Sequence, residues 1–104
     1  MSATKLLLEV LSGPLDGAVI ELERETEWTC AGVGPLNFPW DDELGKPQAR
    51  FIVGAEGWSL EAGRAPHGTH RVNKDERLKA GDSIRLGKGD VLNASRSWLL
   101  VRAA

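Results

Sequence analysis

The sequence predicts an all-β domain, a sandwich of about ten or eleven short antiparallel strands, on three observations. Turn signals recur at short intervals: Ser12-Gly13-Pro14-Leu15-Asp16-Gly17, Gly32-Val33-Gly34-Pro35, Gly45-Lys46-Pro47, Ala65-Pro66-His67-Gly68, Ala80-Gly81-Asp82 and Gly87-Lys88-Gly89-Asp90 all combine residues that favour tight turns. No helix of three turns fits between them. The segments left over are short, and many alternate apolar and polar residues with period two, the mark of half-buried strands.

Taken in order, Leu6, Leu8 and Val10 share one face of the first strand. Beyond the turn, Ala18, Ile20 and Leu22 share a face, with Val19, Glu21 and Glu23 opposite. Further strands are expected at Glu27 to Ala31, Asn37 to Trp40, Ala49 to Val53, Trp58 to Ala62, His70 to Asn73, Ser83 to Leu86, Val91 to Asn93 and Ser97 to Val101. Pro39 has no N–H to give a ladder, so its segment belongs at a sheet edge or a bulge. Trp58 and Trp98 fall on alternating strands and are expected in the core. Trp40, beside Pro39 and an acidic run, is the aromatic expected at an interface.

A chain of 104 residues makes one domain, 1–104. With 13 Lys and Arg against 15 Asp and Glu it has a net charge of −2, which lacks the basic excess that nucleic acid or anionic lipid demands. No aliphatic run is longer than that of Leu6 to Leu8, far short of the roughly 20 residues of a membrane helix. The single cysteine, Cys30, excludes an internal disulfide and fits a reducing compartment. We therefore expect a cytoplasmic domain without direct membrane contact, forming the N-terminal part of a longer chain. Charge is uneven: residues 1–50 carry 4 basic and 9 acidic side chains (net −5) and residues 51–104 carry 9 and 6 (net +3). Any anion site is expected in the second half.

No group of residues assembles a catalytic or metal-binding pattern. His67 and His70 bracket a Gly-Thr turn, with no third ligand at matching spacing. Cys30 lies in an expected strand with apolar neighbours and reads as a structural thiol. Gly32-Val33-Gly34 lacks the third glycine and the following helix of a nucleotide loop. Asp41 and Asp42 are adjacent on a loop and read as solvated charge, and Ser83 has no nucleophile elbow around it. Neither an enzyme nor a cofactor is expected.

The order of features resembles the forkhead-associated (FHA) domain over nearly the whole chain. Leu8 to Leu22 looks like the family's opening hairpin, Trp28-Thr29-Cys30-Ala31-Gly32 like the strand that ends in its Gly-Arg, and Ala49-Arg50-Phe51-Ile52-Val53 like the strand after its Ser-Arg-x-His. His67-Gly68-Thr69 with Val72-Asn73 resembles Asn-Gly-Thr-x-Val-Asn, with one residue more between Thr and Asn. Leu78-Lys79-Ala80-Gly81-Asp82-Ser83-Ile84-Arg85-Leu86-Gly87 closely matches the late Leu-x-x-Gly-Asp-x-Ile-x-Leu-Gly strand. The fold implied is an antiparallel β-sandwich of SMAD/FHA type.

The family typically binds phosphothreonine peptides through an Arg, a Ser and an Asn on loops at one end. This sequence departs at all three. Val33 and Gly34 stand where the Arg is expected, Gly45 where the Ser is expected, and His67 at the Asn; Lys46 and Gln48 replace the neighbouring Arg and His. Charge-assisted hydrogen bonds are worth about 1.5–3 kcal/mol each, so losing an Arg and a hydroxyl removes most of the grip on phosphate. Asp41, Asp42 and Glu43 enter the loop of the missing Ser and repel a dianion.

Two readings follow. In the first, the domain is a scaffold contacting other proteins or a neighbouring copy through a mixed-charge face of Trp40, Asp41, Asp42, Glu43, Lys46, Arg64 and His67. Gly68, Thr69 and Asn73 then serve the loops' structure, and the isolated domain is a monomer. The degenerate triad, Trp28 and Trp98 resemble the cytoplasmic domain of the inner-membrane ring component of bacterial type III secretion systems. In the second, Lys46, Arg50 and Arg64 rebuild a pocket for a phosphothreonine peptide.

Overall fold

The structure, a computed structural model, describes residues 5–104; Met1 to Thr4, the start of the expected 1–104 domain, lie outside the described residues. Ten strands follow one another: β1 (Leu6–Val10), β2 (Val19–Leu22), β3 (Thr26–Trp28), β4 (Ala49–Gly54), β5 (Gly57–Ala62), β6 (Thr69–Arg71), β7 (Glu76–Leu78), β8 (Ser83–Arg85), β9 (Val91–Ala94) and β10 (Ser97–Ala103). They form two antiparallel sheets, one ordered β2-β1-β10-β9-β6-β7 and the other β3-β4-β5-β8.

The period-two pattern places the core. Leu6, Leu8 and Val10 point inward from β1, and Ser97, Leu99 and Val101 do so from β10. Opposite them stand Phe51 from β4, Trp58 and Leu60 from β5, and Trp28 from β3, all at most 1% exposed. Trp28 and Phe51 meet with ring centroids 6.3 Å apart.

Three expectations are corrected. Trp98 is 37% exposed, because the register that buries Ser97, Leu99 and Val101 turns it to the other face of β10. Asn37 to Trp40 is not a strand: Asn37 makes a single parallel bridge to Thr29, and Asp41 N then donates to Phe38 O at 3.1 Å, closing a turn over Pro39. The strand expected to Asn73 stops at Arg71, where Val72–Lys74 forms a 3-10 turn. Asp75 then takes a left-handed conformation (φ 51°), and the chain returns as β7, a strand not foreseen.

Candidate functional site

The segments 41–48 and 63–69 are held together from their backbones outward. Gln48 is fully buried. Its Oε1 accepts from Gly45 N at 2.8 Å, while its Nε2 donates to His67 O at 2.9 Å and to Thr69 Oγ1 at 3.0 Å. Gly63 N donates to Gln48 O at 2.9 Å, sealing the seam. At the rim His67 Nε2 meets Glu43 Oε1 at 2.5 Å, both side chains about half exposed. The resemblance marked Gln48 only as a replaced His; its role shows once the two loops are side by side. The retained signal was chemical, since an amide, like an imidazole, offers both a donor and an acceptor.

Gly45 is buried in this seam. A Cβ added there would lie 2.7 Å from Ala65 Cβ and 2.9 Å from the carbonyl oxygens of Arg64 and Pro47. The loop therefore excludes any side chain where the family's Ser is expected. Val33, at the expected Arg, is fully exposed. With Gly34, it lines a groove of about 580 Å³ whose opposite wall is the Glu21–Glu27 turn.

Asp41 is corrected from solvated to buried, with no exposed surface. It accepts from Ser95 Oγ at 2.8 Å, Arg96 N at 3.0 Å and Ser97 Oγ at 2.7 Å. Burial pushes its carboxyl up, but the bonds from Ser97, Ser95, Arg96 N and Glu43 N outweigh that and hold it below the ordinary aspartate value. Asp41 thus ties its loop to the β9–β10 turn and is closed to any partner. Asp42 remains exposed and lies 3.8 Å from Arg96. Trp40 is half-buried, stacked on Phe38 at 4.9 Å between centroids. Its indole also covers Gly13, where the left-handed backbone (φ +75°) and an added Cβ 2.7 Å from Trp40 Nε1 both call for glycine.

The expected face therefore divides. Trp40, Asp41 and Asp42 sit against the β1–β2 and β9–β10 turns, whereas Glu43 and His67 close the Gln48 seam. Lys46 and Arg64 sit on a separate groove of about 290 Å³, shared with Arg50 and Glu61. Two of that groove's three cations, Lys46 and Arg50, come from the first half of the chain.

Gly68 and Thr69 lie under the seam: a Cβ on Gly68 would come 3.1 Å from Leu78 O, and Thr69 is 2% exposed. Asn73 Nδ2 donates to Asp90 Oδ1 at 2.9 Å, and its Oδ1 accepts from Val91 N at 2.9 Å. Asp90 also receives Arg71 Nη1 at 3.1 Å and Gly87 N at 2.9 Å. Burial again raises its carboxyl, and the bonds from Asn73, Gly87 and Arg71 bring it below the ordinary value. His70 faces Asp75 at 3.2 Å, away from His67. Cys30 is half-buried, and its Sγ donates to Leu44 O at 3.3 Å.

No protein-family model and no curated protein matches the sequence. Among solved structures, the chain superposes over its whole length on the FHA domain of an Arabidopsis thaliana hypothetical protein, covering 89% of it with a TM-score of 0.82 at 20% identity. A second match comes from a structural and functional analysis of phosphothreonine-dependent FHA domain interactions. It has a TM-score of 0.76 and 18% identity, with 97% of this chain and 98% of that one covered. Ten antiparallel strands in two sheets among the described residues, with 97% or more of the chain superposable on each of two such domains, give this chain the fold of a forkhead-associated domain.

Proposed function

We propose that this domain is a non-enzymatic protein-interaction module that works without phosphothreonine, as a cytoplasmic scaffold in a multiprotein assembly. The resemblance noted from sequence makes the inner-membrane ring of a bacterial type III secretion system the leading setting, with this domain in a longer chain. One observation carries the reading: Gly45 is walled in by Ala65 Cβ at 2.7 Å and by two carbonyl oxygens at 2.9 Å. A phosphate-binding hydroxyl has no room there. With Val33 in place of a guanidinium, the pair of donors that a dianion needs is missing. What the loop end offers is an acidic rim of Asp42 and Glu43 beside His67, suited to orienting a folded partner.

The second reading, a phosphothreonine binder with a rewired pocket, is favoured by the groove of Lys46, Arg50 and Arg64. One experiment with two arms separates them. Titrating a phosphothreonine peptide library by fluorescence anisotropy should give no phosphate-dependent binding up to about 100 µM, an affinity of roughly 5 kcal/mol; a micromolar hit instead establishes the second reading. Reversing Asp42 and Glu43 to Lys in the full-length protein should disrupt assembly while circular dichroism stays unchanged. Normal assembly of that variant would exclude this rim as the contact.

A further inference from the structure

The chain carries two oppositely charged concavities, one walled by the connection from β2 into β3 and one beside β4 and β5. The register of the four-stranded sheet sets Glu27 opposite Arg50, and Arg50 opposite Glu61, across β3, β4 and β5. Ala49 and Phe51 are buried, so Arg50 and its two neighbours stand on the outer face. The Glu27 and Arg50 side chains meet there at 3.5 Å. Because β3 and β4 are antiparallel, the chain before β3 and the chain before β4 leave this pair in opposite directions. Before β3 comes the loop Glu23-Arg24-Glu25, leading in from Glu21 and Leu22 of β2 in the other sheet, and before β4 comes Lys46. The outer face is therefore acidic at one end and basic at the other, with a neutral ion pair between.

Neither end is fully compensated, although Glu61 lines the basic groove and Arg24 the acidic turn. Lys46 and Arg64 are exposed and have no ion-pair partner among the described residues. Arg50 is the only lining cation of their groove with one. At the acidic end, Glu21 and Glu23 share Lys5, at 3.3 and 3.9 Å. Glu25 is exposed and unpaired among the described residues.

We infer that the Lys46, Arg50 and Arg64 groove takes the Glu21–Glu27 turn of a second copy of this chain, in a two-fold dimer that makes the contact twice. A charge pattern running from minus to plus across one face is self-complementary under a two-fold axis through its middle, here the Glu27–Arg50 pair, so the contact closes rather than propagating. Its strength is limited. Exposed ion pairs contribute little singly, so the dissociation constant is on the order of hundreds of micromolar, within reach of a tethered assembly, where effective concentrations approach millimolar. The inference rests on the module contacting proteins and on no particular assembly.

The test is sedimentation velocity on the intact domain at about 1 mM, in 50 mM and in 500 mM NaCl, with two charge-reversed variants. Wild type should dimerise at low salt, and its association should weaken by about tenfold or more at high salt, as screening shortens the reach of exposed charges. K46E/R64E alone and E23K/E25K alone should each be monomeric. An equimolar mixture of the two should recover the dimer, because the reversed groove of one meets the reversed turn of the other, while the second contact joins an unaltered groove to an unaltered turn. All four positions are exposed, and circular dichroism confirms the fold of each variant. A wild type that stays monomeric at 50 mM NaCl overturns the inference, as does a mixture that stays monomeric. Binding of a phosphothreonine peptide to the groove without self-association also overturns it. The monomer outcomes leave the Asp42 and Glu43 assembly experiment untouched, so there the scaffold reading stands or falls separately, whereas phosphothreonine-peptide binding overturns both.

Discussion

Gln48 and Gly45 act as a pair: one spans two loops with its amide, and the other lets those loops close around it. Removing the amide leaves Gly45 N, His67 O and Thr69 Oγ1 without their partner, so Gln48→Ala should cost about 1–3 kcal/mol and lower the melting temperature by several degrees. Thr69→Ala should cost less, having one bond to lose. Gly45→Ser should also destabilise, by about 1–3 kcal/mol as overpacking does, and it should gain no phosphopeptide binding. A stable Gly45→Ser protein would show that the seam has slack. Asp41 and Asp90 are tested through acid. Both carboxyls sit below their ordinary value in the folded state, so they stabilise above the unfolded aspartate pKa of about 3.9. That contribution disappears as pH falls through the lower folded value. The melting temperature should hold from about pH 7 to 5 and drop below about pH 4, and Asp41→Asn should flatten that drop. An equal slope in the variant would remove Asp41 from the account. The sequence made Gly45 legible as a missing Ser but not as a site closed to side chains, because the loop that encloses it lies 20 residues away at Ala65. Asp41 was misplaced for the same reason: its partners are 54 to 56 residues distant.

At the scale of elements, periodicity recovered the strands that carry a buried face and failed where packing is not periodic. β1, β5 and β10 alternate in burial, and each was legible as a strand, although Trp98 was assigned to the wrong face of β10. The 37–40 segment looks like a strand in composition, but Phe38 enters the core as part of a turn, with Trp40 stacked behind it. β7 carries Glu76 and Arg77 beside a single buried Leu78, too little for a pattern to show. It forms because Arg71 binds Glu76 across the hairpin that Asp75 allows. The tryptophans separate by the same rule. Trp58 sits at an inward position and Trp98 at an outward one, so Trp58→Ala should cost about 3–5 kcal/mol. Trp98→Thr, on the exposed side of β10, should cost under about 1 kcal/mol. Urea denaturation midpoints measure both, and comparable losses would mean that the outer face of β10 is packed rather than free.

As a whole the molecule measures 38 × 26 × 24 Å with a radius of gyration of 12.3 Å, close to the roughly 13 Å expected for its length. No helix among the described residues is long and apolar enough to cross a membrane. Fold class was legible at this scale because turns and alternation are local properties. The charge map was not, because the sheet register, and not chain order, decides which cations share a groove. The same register places the first strand between β2 and the last one. Leu8 pairs with Val101, and Glu9 binds Arg102 at 2.7 Å, across 93 positions. A chain emerging from a ribosome therefore has β1 and β2 early, yet waits for β10 before the middle of the six-stranded sheet can close. Its folding should be slow for its size, in milliseconds to seconds, as long-range pairing requires. A chain ending at Arg96 should lack a sigmoidal thermal transition, and one that keeps it would show that the first two strands had found another way to cover their inner edge.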